Sequence, residues 1–268
     1  MKNKTVSLWK NDVPFYNEEY GDFKPELVDY NLNDGKRHPC FIVIPGGGYS
    51  MRAEDHEGDV ICKEFNKLNI SAYMLRYRVH PYSKPCQETD LRRAVRLIRY
   101  NADRLNIDPE KIGILGFSAG GHLACMGGLR FNCGEDEMHD EIDSASARPD
   151  AVCSCYAVAS LDGEITHWGT RNNFLGVDSK NDETAKKYSS ENIVPDDAPP
   201  FFIWHTEEDR SVDFINSMRL AAALGEKKIP FELNIFPYGN HGLGLAEDMP
   251  LARSWWTRFS AWLKEFGF

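Results

Sequence analysis

The sequence predicts an α/β domain built on a mostly parallel sheet with helices packed on both faces. Three observations lead to this reading. The chain has 268 residues, a length that suits one large α/β domain better than two independent ones. Hydrophobic residues make up 42% of it and charged residues 27%, enough apolar side chains to cover a sheet on both sides. From Cys40 onward, short apolar runs alternate with longer stretches of helical periodicity, as parallel strands joined by crossover helices require.

The short runs at 40–44, 70–75, 111–115, 151–157, 201–205 and 231–236 are bounded by turn residues and read as strands buried on both faces. Weaker β-like pieces at 5–8 and 27–30 are expected as antiparallel edge strands. Between the strands, Leu91, Ala94, Val95, Ile98, Ala102 and Leu105 recur at helical spacing, which leaves Arg92, Arg93, Arg96 and Arg99 on an opposite, solvated face. Leu251, Trp255, Phe259, Trp262 or Leu263, and Phe266 repeat the pattern at the C-terminal end, where the aromatic stripe is expected to pack into the core.

A formal net charge of −10 with no offsetting Lys/Arg run argues against nucleic-acid and anionic-membrane partners. The first residues lack the apolar stretch of a signal peptide and no later segment is long enough to span a bilayer, so the expected location is the cytoplasm. Seven cysteines, an odd number scattered from Cys40 to Cys155, fit reduced thiols rather than a disulfide framework. Cys153 and Cys155 lie in a strand-like run whose alternating side chains would keep them from sharing one metal, so both read as small buried hydrophobes.

The segment Lys111-Ile-Gly-Ile-Leu-Gly-Phe-Ser-Ala-Gly-Gly-His122 is a buried strand, a G-x-S-x-G turn and the start of a helix. This is the context of a nucleophile elbow, in which Ser118 stands on a sharp turn and Gly116 and Gly120 let strand and helix pass closely. A helix N-terminus beneath the serine favours negative charge developing there. Pro45-Gly-Gly-Gly-Tyr49 follows the first core strand, where glycines let backbone N–H groups reach an oxyanion. The expected donors are Gly46 or Gly47 together with Ala119. A dinucleotide loop is excluded because the G-x-G-x-x-G spacing is missing.

Of the eight histidines, His241 lies in the loop Asn240-His-Gly-Leu-Gly244 after the last strand, where an imidazole can swing over the serine. His205 ends a strand and His122 sits on the helix after the elbow, positions suited to structural roles. His38, His56, His80, His139 and His167 belong to no motif. Asp209 is the first choice for the acid that orients His241, with Glu208 second and Asp162 third. The chain order Ser118, Asp209, His241 is that of α/β-hydrolases rather than of chymotrypsin-like or subtilisin-like proteases.

These motifs resemble a branch of the α/β-hydrolases that comprises acetyl esterases, acetylxylan esterases and endo-xylanase-like esterase/lipases. The likeness extends over PGGGY at 45–49, RAVRLIRYNA at 93–102, IDPEKIGILGFSAGGHLA at 107–124, ARPDA at 147–151, PPFFIWHTEEDRSV at 199–212 and FPYGNHGLGLA at 236–246. It implies an eight-stranded sheet, no metal and no organic cofactor. It also implies Asp209 as the acid, three positions before the valine of D-x-x-V. Glu207-Glu208 departs from the ADD common in relatives.

In such a sheet the strand-to-helix loops face the substrate. The acidic stretch of Glu135, Asp136, Glu137, Asp140, Glu141 and Asp143 leads into a strand and is expected to be a solvated loop at the far end. Residues 161–192 follow a strand and form a candidate roof, with Trp168, Arg171, Asn172 and Phe174 available to a bound molecule. Tyr49 to Arg52, Val79 to Tyr82 and Tyr238 to Asn240 complete the rim, and Tyr49, Trp168, Arg171 and Asn172 are the expected substrate contacts.

The resulting expectation is a serine carboxylesterase acting through an acyl-enzyme on acetyl esters of imported xylo-oligosaccharides or similar carbohydrates. A promiscuous carboxylesterase or feruloyl esterase is the alternative. A peptidase or amidase would need a cap or propeller for which 268 residues leave no room. A non-catalytic binding protein would have no use for all three of Ser118, Asp209 and His241.

Overall fold

The computed structural model describes residues 4–10, 12–132 and 140–268. Its sheet has eight strands in the order β1-β2-β4-β3-β5-β6-β7-β8. The strands are β1 (Thr5–Ser7), β2 (Glu26–Tyr30), β3 (His38–Ile44), β4 (Ser71–Arg76), β5 (Ile107–Phe117), β6 (Ala151–Cys155), β7 (Phe201–Thr206) and β8 (Phe231–Phe236). β3 through β8 run parallel, while β1 and β2 pair antiparallel at one edge, as their weak strand signal suggested. β5 begins well before the predicted strand, because Ile107 pairs with His38 before the register shifts to Cys40 and Ile112.

The helices are α1 (Val60–Lys67), α2 (Cys86–Tyr100), α3 (Ala102–Leu105), α4 (Ser118–Leu129), α5 (Trp168–Leu175), α6 (Asp182–Lys187), α7 (Ile215–Glu226) and α8 (Pro250–Glu265). The predicted helix near 91–105 is thus two, interrupted at Asn101, which caps α3. Buried side chains of α1 and α8 form one apolar layer against the sheet, and those of α2, α4 and α7 form the other. In α8 the tryptophans are core, as expected: the Trp255 ring stacks on Trp204 at 5.0 Å between centroids.

The arginines of α2 are not a solvated face. Arg93 is 1% exposed, donates to the Leu8 carbonyl and pairs with Asp140 and Asp143 at 2.6 and 2.8 Å. Arg99 spans the Pro109, Ser146 and Arg148 carbonyls and pairs with Asp150. Asp140 and Asp143 are therefore the counter-ions of a buried guanidinium rather than part of a solvated loop. Charges this buried persist only when paired and hydrogen-bonded, which helical periodicity cannot reveal. Glu135, Asp136, Glu137, His139 and Cys133 lie outside the described residues.

Six described cysteines are buried and free. Alternation does not separate Cys153 and Cys155 as expected: two residues apart on β6, they share a face with their sulfurs 3.6 Å apart, because strand side chains alternate with period two. Burial, and the contact with Cys155, push the Cys153 thiol far above the ordinary range, so the pair behaves as apolar packing.

This topology opens a crevice between the loops that follow β3 and β5. The chain passes from β3 to β4 on one side of the sheet and returns to β5 on the other, so the loops after β3 and β5 diverge at adjacent strand ends. The triple glycine follows β3 and Ser118 follows β5. Among the described residues no helix is long and apolar enough to cross a membrane.

Candidate active site

Ser118 is the first residue of α4 and holds φ of 53°, a left-handed conformation that is rare and costly for a residue with a Cβ. The surroundings enforce it. A Cβ on Gly116 would meet the Gly120 carbonyl oxygen at 2.1 Å, and one on Gly120 would meet the Ile44 oxygen at 2.2 Å. β5, α4 and the end of β3 thus cross with no room for a methyl group, and the serine at their crossing is pushed out of the strand.

The structure brings the three expected residues together. His241 Nε2 lies 2.7 Å from Ser118 Oγ, and His241 Nδ1 lies 2.6 Å from Asp209 Oδ2. Asp209 is fixed by its other oxygen, which accepts the backbone N–H groups of Ser211 and Val212, each at 2.9 Å. The carboxylate itself is fully buried, which pushes its pKa up. Hydrogen bonds from His205, His241 and the Val212 amide outweigh that and hold it well below the usual carboxylate range.

Among the described residues neither of the two other candidate acids hydrogen-bonds or pairs with His241. Glu208 accepts the Gly239 N–H at 2.9 Å and so braces the loop carrying His241. Asp162 is tied through its backbone to Ser160. His205 is fully buried, with Nδ1 2.8 Å from Ser217 Oγ and Nε2 3.0 Å from the Val212 carbonyl and 3.3 Å from Asp209 Oδ2. It is structural, as its strand-end position suggested, but it also touches the acid. His122 is buried between the Tyr49 hydroxyl and the Tyr188 carbonyl.

One expected oxyanion donor is excluded in this arrangement: the Gly46 N–H donates to Glu57 Oε2 at 2.8 Å and is occupied. Among the described residues the Gly47 and Ala119 N–H groups have no acceptor within the protein. Gly47 has φ of 126°, and a Cβ there would meet the Met51 carbonyl oxygen at 2.4 Å, so only glycine fits the turn.

The expected substrate contacts divide. Tyr49 is 0% exposed and hydrogen-bonds His122, so it supports the loop from below. Arg171 is 2% exposed and ties the 161–192 segment together through the Leu161 and Ser179 carbonyls and Asp182. Phe174 packs on Tyr49 and His122. Trp168, 56% exposed, and Asn172 are accessible, with the Arg171 guanidinium 4.8 Å from the Trp168 ring. On the rim, Met51 and Tyr238 are exposed, whereas Tyr82 is buried against Asn17. Arginines look like ligands in sequence and are often braces in structure, because five donors suit them to gathering loop carbonyls.

Three residues were missed: His167, Tyr156 and Glu57. His167 caps α5 by accepting the Thr170 N–H on Nδ1, and burial together with the His241 charge depresses its pKa. Tyr156, just past β6, sets its ring edge-on to His241 at 5.1 Å between centroids. Its hydroxyl donates to Glu57 Oε1 at 2.7 Å and accepts the Gly244 N–H at 2.8 Å. Tyr156 stands at a carboxyl strand end, the position that the sheet rule marks as facing the site.

With this geometry in hand, comparison with known proteins is decisive: residues 28–224 match the BD-FAE family model. The chain belongs to the BD-FAE family. Over 253 residues, 92% of this chain, it is 40% identical to endo-1,4-beta-xylanase B of Butyrivibrio fibrisolvens. Over 226 residues, 83% of this chain, it is 30% identical to an acetylxylan esterase of Xylanibacter ruminicola. It spans only 39% and 44% of those two relatives. Among solved structures, the acetyl ester-xyloside bifunctional hydrolase of Caldicellulosiruptor lactoaceticus aligns over 100% of this chain and 97% of its own, with TM-score 0.93 and 43% identity. The carboxylesterase Cest-2923 of Lactobacillus plantarum, at 22% identity and TM-score 0.80, shares the α/β-hydrolase fold.

Proposed function

We propose that this BD-FAE protein is a serine carboxylesterase that removes short acyl groups, acetyl above all, from carbohydrate hydroxyls. The observation that carries this reading is the unbroken Ser118–His241–Asp209 chain of short contacts, with the serine held at positive φ. In the first step Ser118 Oγ attacks the ester carbonyl as its proton passes to His241 Nε2, and the oxyanion is received by the N–H groups of Gly47 and Ala119. Collapse of the tetrahedral intermediate expels the alcohol, which takes the proton from His241. Water then attacks the acyl-enzyme by the same proton path and releases the acid. Asp209 holds the imidazole in the tautomer that leaves Nε2 free to accept.

The carbohydrate half of the reading rests on the accessible Trp168 and Asn172 beside a largely polar 161–192 segment, since sugars need hydrogen-bond partners beside an aromatic face. The names of the xylan-linked relatives point the same way. The test compares kcat/KM for p-nitrophenyl acetate, butyrate and octanoate, and measures acetate released from acetylated xylo-oligosaccharides. Acetate is expected to be preferred and released. Efficient octanoate cleavage with no acetate from the oligosaccharides would leave a general carboxylesterase.

A further inference from the structure

Glu57 is a buried carboxylate beside the nucleophile that the triad does not use. It is 2% exposed and lies on a wide helical turn, Asp55–Asp59, that runs into α1. Among the described residues no lysine or arginine pairs with it. Among the described residues the one basic side chain within 4 Å is the half-exposed His56, whose Nε2 is 3.8 Å from Oε1. A carboxylate carried into the interior needs strong compensation, and here it comes from two hydrogen bonds that lead to two different loops.

Oε2 accepts the Gly46 N–H at 2.8 Å. This fixes the Pro45–Gly46 peptide, one residue before the Gly47 N–H. The same oxygen and Ser118 Cβ lie 2.8 and 2.9 Å from the point that a Gly46 side chain would occupy, so carboxylate, glycine turn and nucleophile are packed without slack. Oε1 accepts the Tyr156 hydroxyl at 2.7 Å, and that hydroxyl accepts the Gly244 N–H at 2.8 Å. Gly244 lies three residues after His241, and its carbonyl accepts the Trp255 indole N–H of α8 at 3.2 Å. The Tyr156 ring, wedged edge-on against Trp204 at 5.0 Å, is also the surface on which His241 rests.

We propose that Glu57 and Tyr156 form one positioning relay that holds the oxyanion turn and the histidine loop in a fixed mutual register. The inference rests on the esterase reading above. Gly46 and Gly244 belong to loops that follow β3 and β8, and those strands do not pair with each other. The continuous Gly46–Glu57–Tyr156–Gly244 chain therefore spans the crevice, and the transition state needs both of its ends at once: donors at the oxyanion and a base at Ser118. A negative charge near a developing oxyanion opposes it, so what Glu57 contributes is geometry. Neither residue touches the substrate.

The experiment uses Glu57→Gln, Tyr156→Phe and the double variant. Each is assayed for kcat and KM on p-nitrophenyl acetate, for affinity to a small alkyl boronic acid that forms a tetrahedral adduct on serine, and for Tm. Tyr156→Phe keeps the ring and loses only the hydroxyl, so it carries the test if Glu57→Gln does not fold. A misplacement of catalytic groups by about 1 Å costs on the order of 100-fold, so each single variant should lose about 10- to 100-fold in kcat. KM should stay within about twofold while boronate affinity falls in step with kcat, because only the tetrahedral state uses both loops. The double variant should lose no more than the worse single one, as for two links of one connection.

An unchanged or raised kcat in Tyr156→Phe or Glu57→Gln, or losses that multiply in the double variant, would overturn the relay. So would a fall in Tm with kcat intact. A fluorophosphonate probe separates this from the underlying reading. If Ser118 of the unmodified protein is labelled while the variants keep full kcat, the relay fails and the esterase reading stands. If the unmodified protein is not labelled at Ser118, the esterase reading itself fails.

Discussion

Glu208 and Asp209 are neighbours in the chain whose carboxylates diverge: Asp209 Oδ2 meets His241 Nδ1 at 2.6 Å, whereas Glu208 Oε2 accepts the Gly239 N–H at 2.9 Å. One orients the imidazole and the other steadies the loop that carries it. Asp209→Asn should therefore cost roughly ten-thousand-fold in kcat, the magnitude given by the analogous serine-protease change, since an amide stabilises the wrong tautomer. Glu208→Gln keeps an acceptor for Gly239 and should stay within about threefold of the unmodified protein. Equal losses in the two variants, measured on p-nitrophenyl acetate, would reassign the acid.

Trp168 and Arg171 are one helical turn apart on α5 yet should respond differently. Trp168→Ala, at an exposed ring, is expected to raise KM for acetylated xylo-oligosaccharides by about 3- to 30-fold, the scale of one lost stacking contact, and to leave p-nitrophenyl acetate turnover unchanged. Arg171→Ala leaves the Leu161 and Ser179 carbonyls without their donor and should lower Tm by several degrees. An Arg171 variant with unaltered Tm and a selective loss of oligosaccharide binding would return that arginine to the substrate.

The elbow and the triple glycine were legible as local motifs: Gly116 must pass the Gly120 carbonyl within the same turn, and Gly120 must pass the Ile44 carbonyl just ahead of the triple glycine. The sheet followed from period and length, including the antiparallel edge at β1 and β2. Arg93 was misread because Asp140 and Asp143, which neutralise it, lie 47 and 50 residues away in sequence. Tyr49 and Arg171 were misread for a related reason, since loop position predicts proximity to a site and not the direction of a side chain. Glu57 carries no motif at all: its role depends on Gly46 and Tyr156, 11 and 99 residues distant.

Acid sensitivity should depend measurably on His122. Burial pushes this histidine down to about 4 from an ordinary 6.5, and it stays neutral between the Tyr49 hydroxyl and the Tyr188 carbonyl. Between those two values the unfolded chain binds a proton that the native state refuses. The stability contributed by neutral His122 is thus complete above pH 6.5 and is lost as pH falls towards 4. The full loss is roughly 3 kcal/mol. His167 and Asp209 are also depressed and act with the same sign, so the test is a difference. His122→Gln should flatten the dependence of Tm on pH across this window relative to the unmodified protein, and identical slopes would refute the assignment.

The proposed mechanism requires that Ser118 becomes covalently acylated and is then released by water. The most direct measurement is mass spectrometry of the protein quenched in acid during turnover of p-nitrophenyl acetate, followed by peptide mapping. An added acetyl group is expected on the peptide containing Ser118 and absent in Ser118→Ala, whose kcat should fall by several orders of magnitude. An acetyl group mapped to another residue, or a Ser118→Ala variant that keeps its turnover, would contradict it.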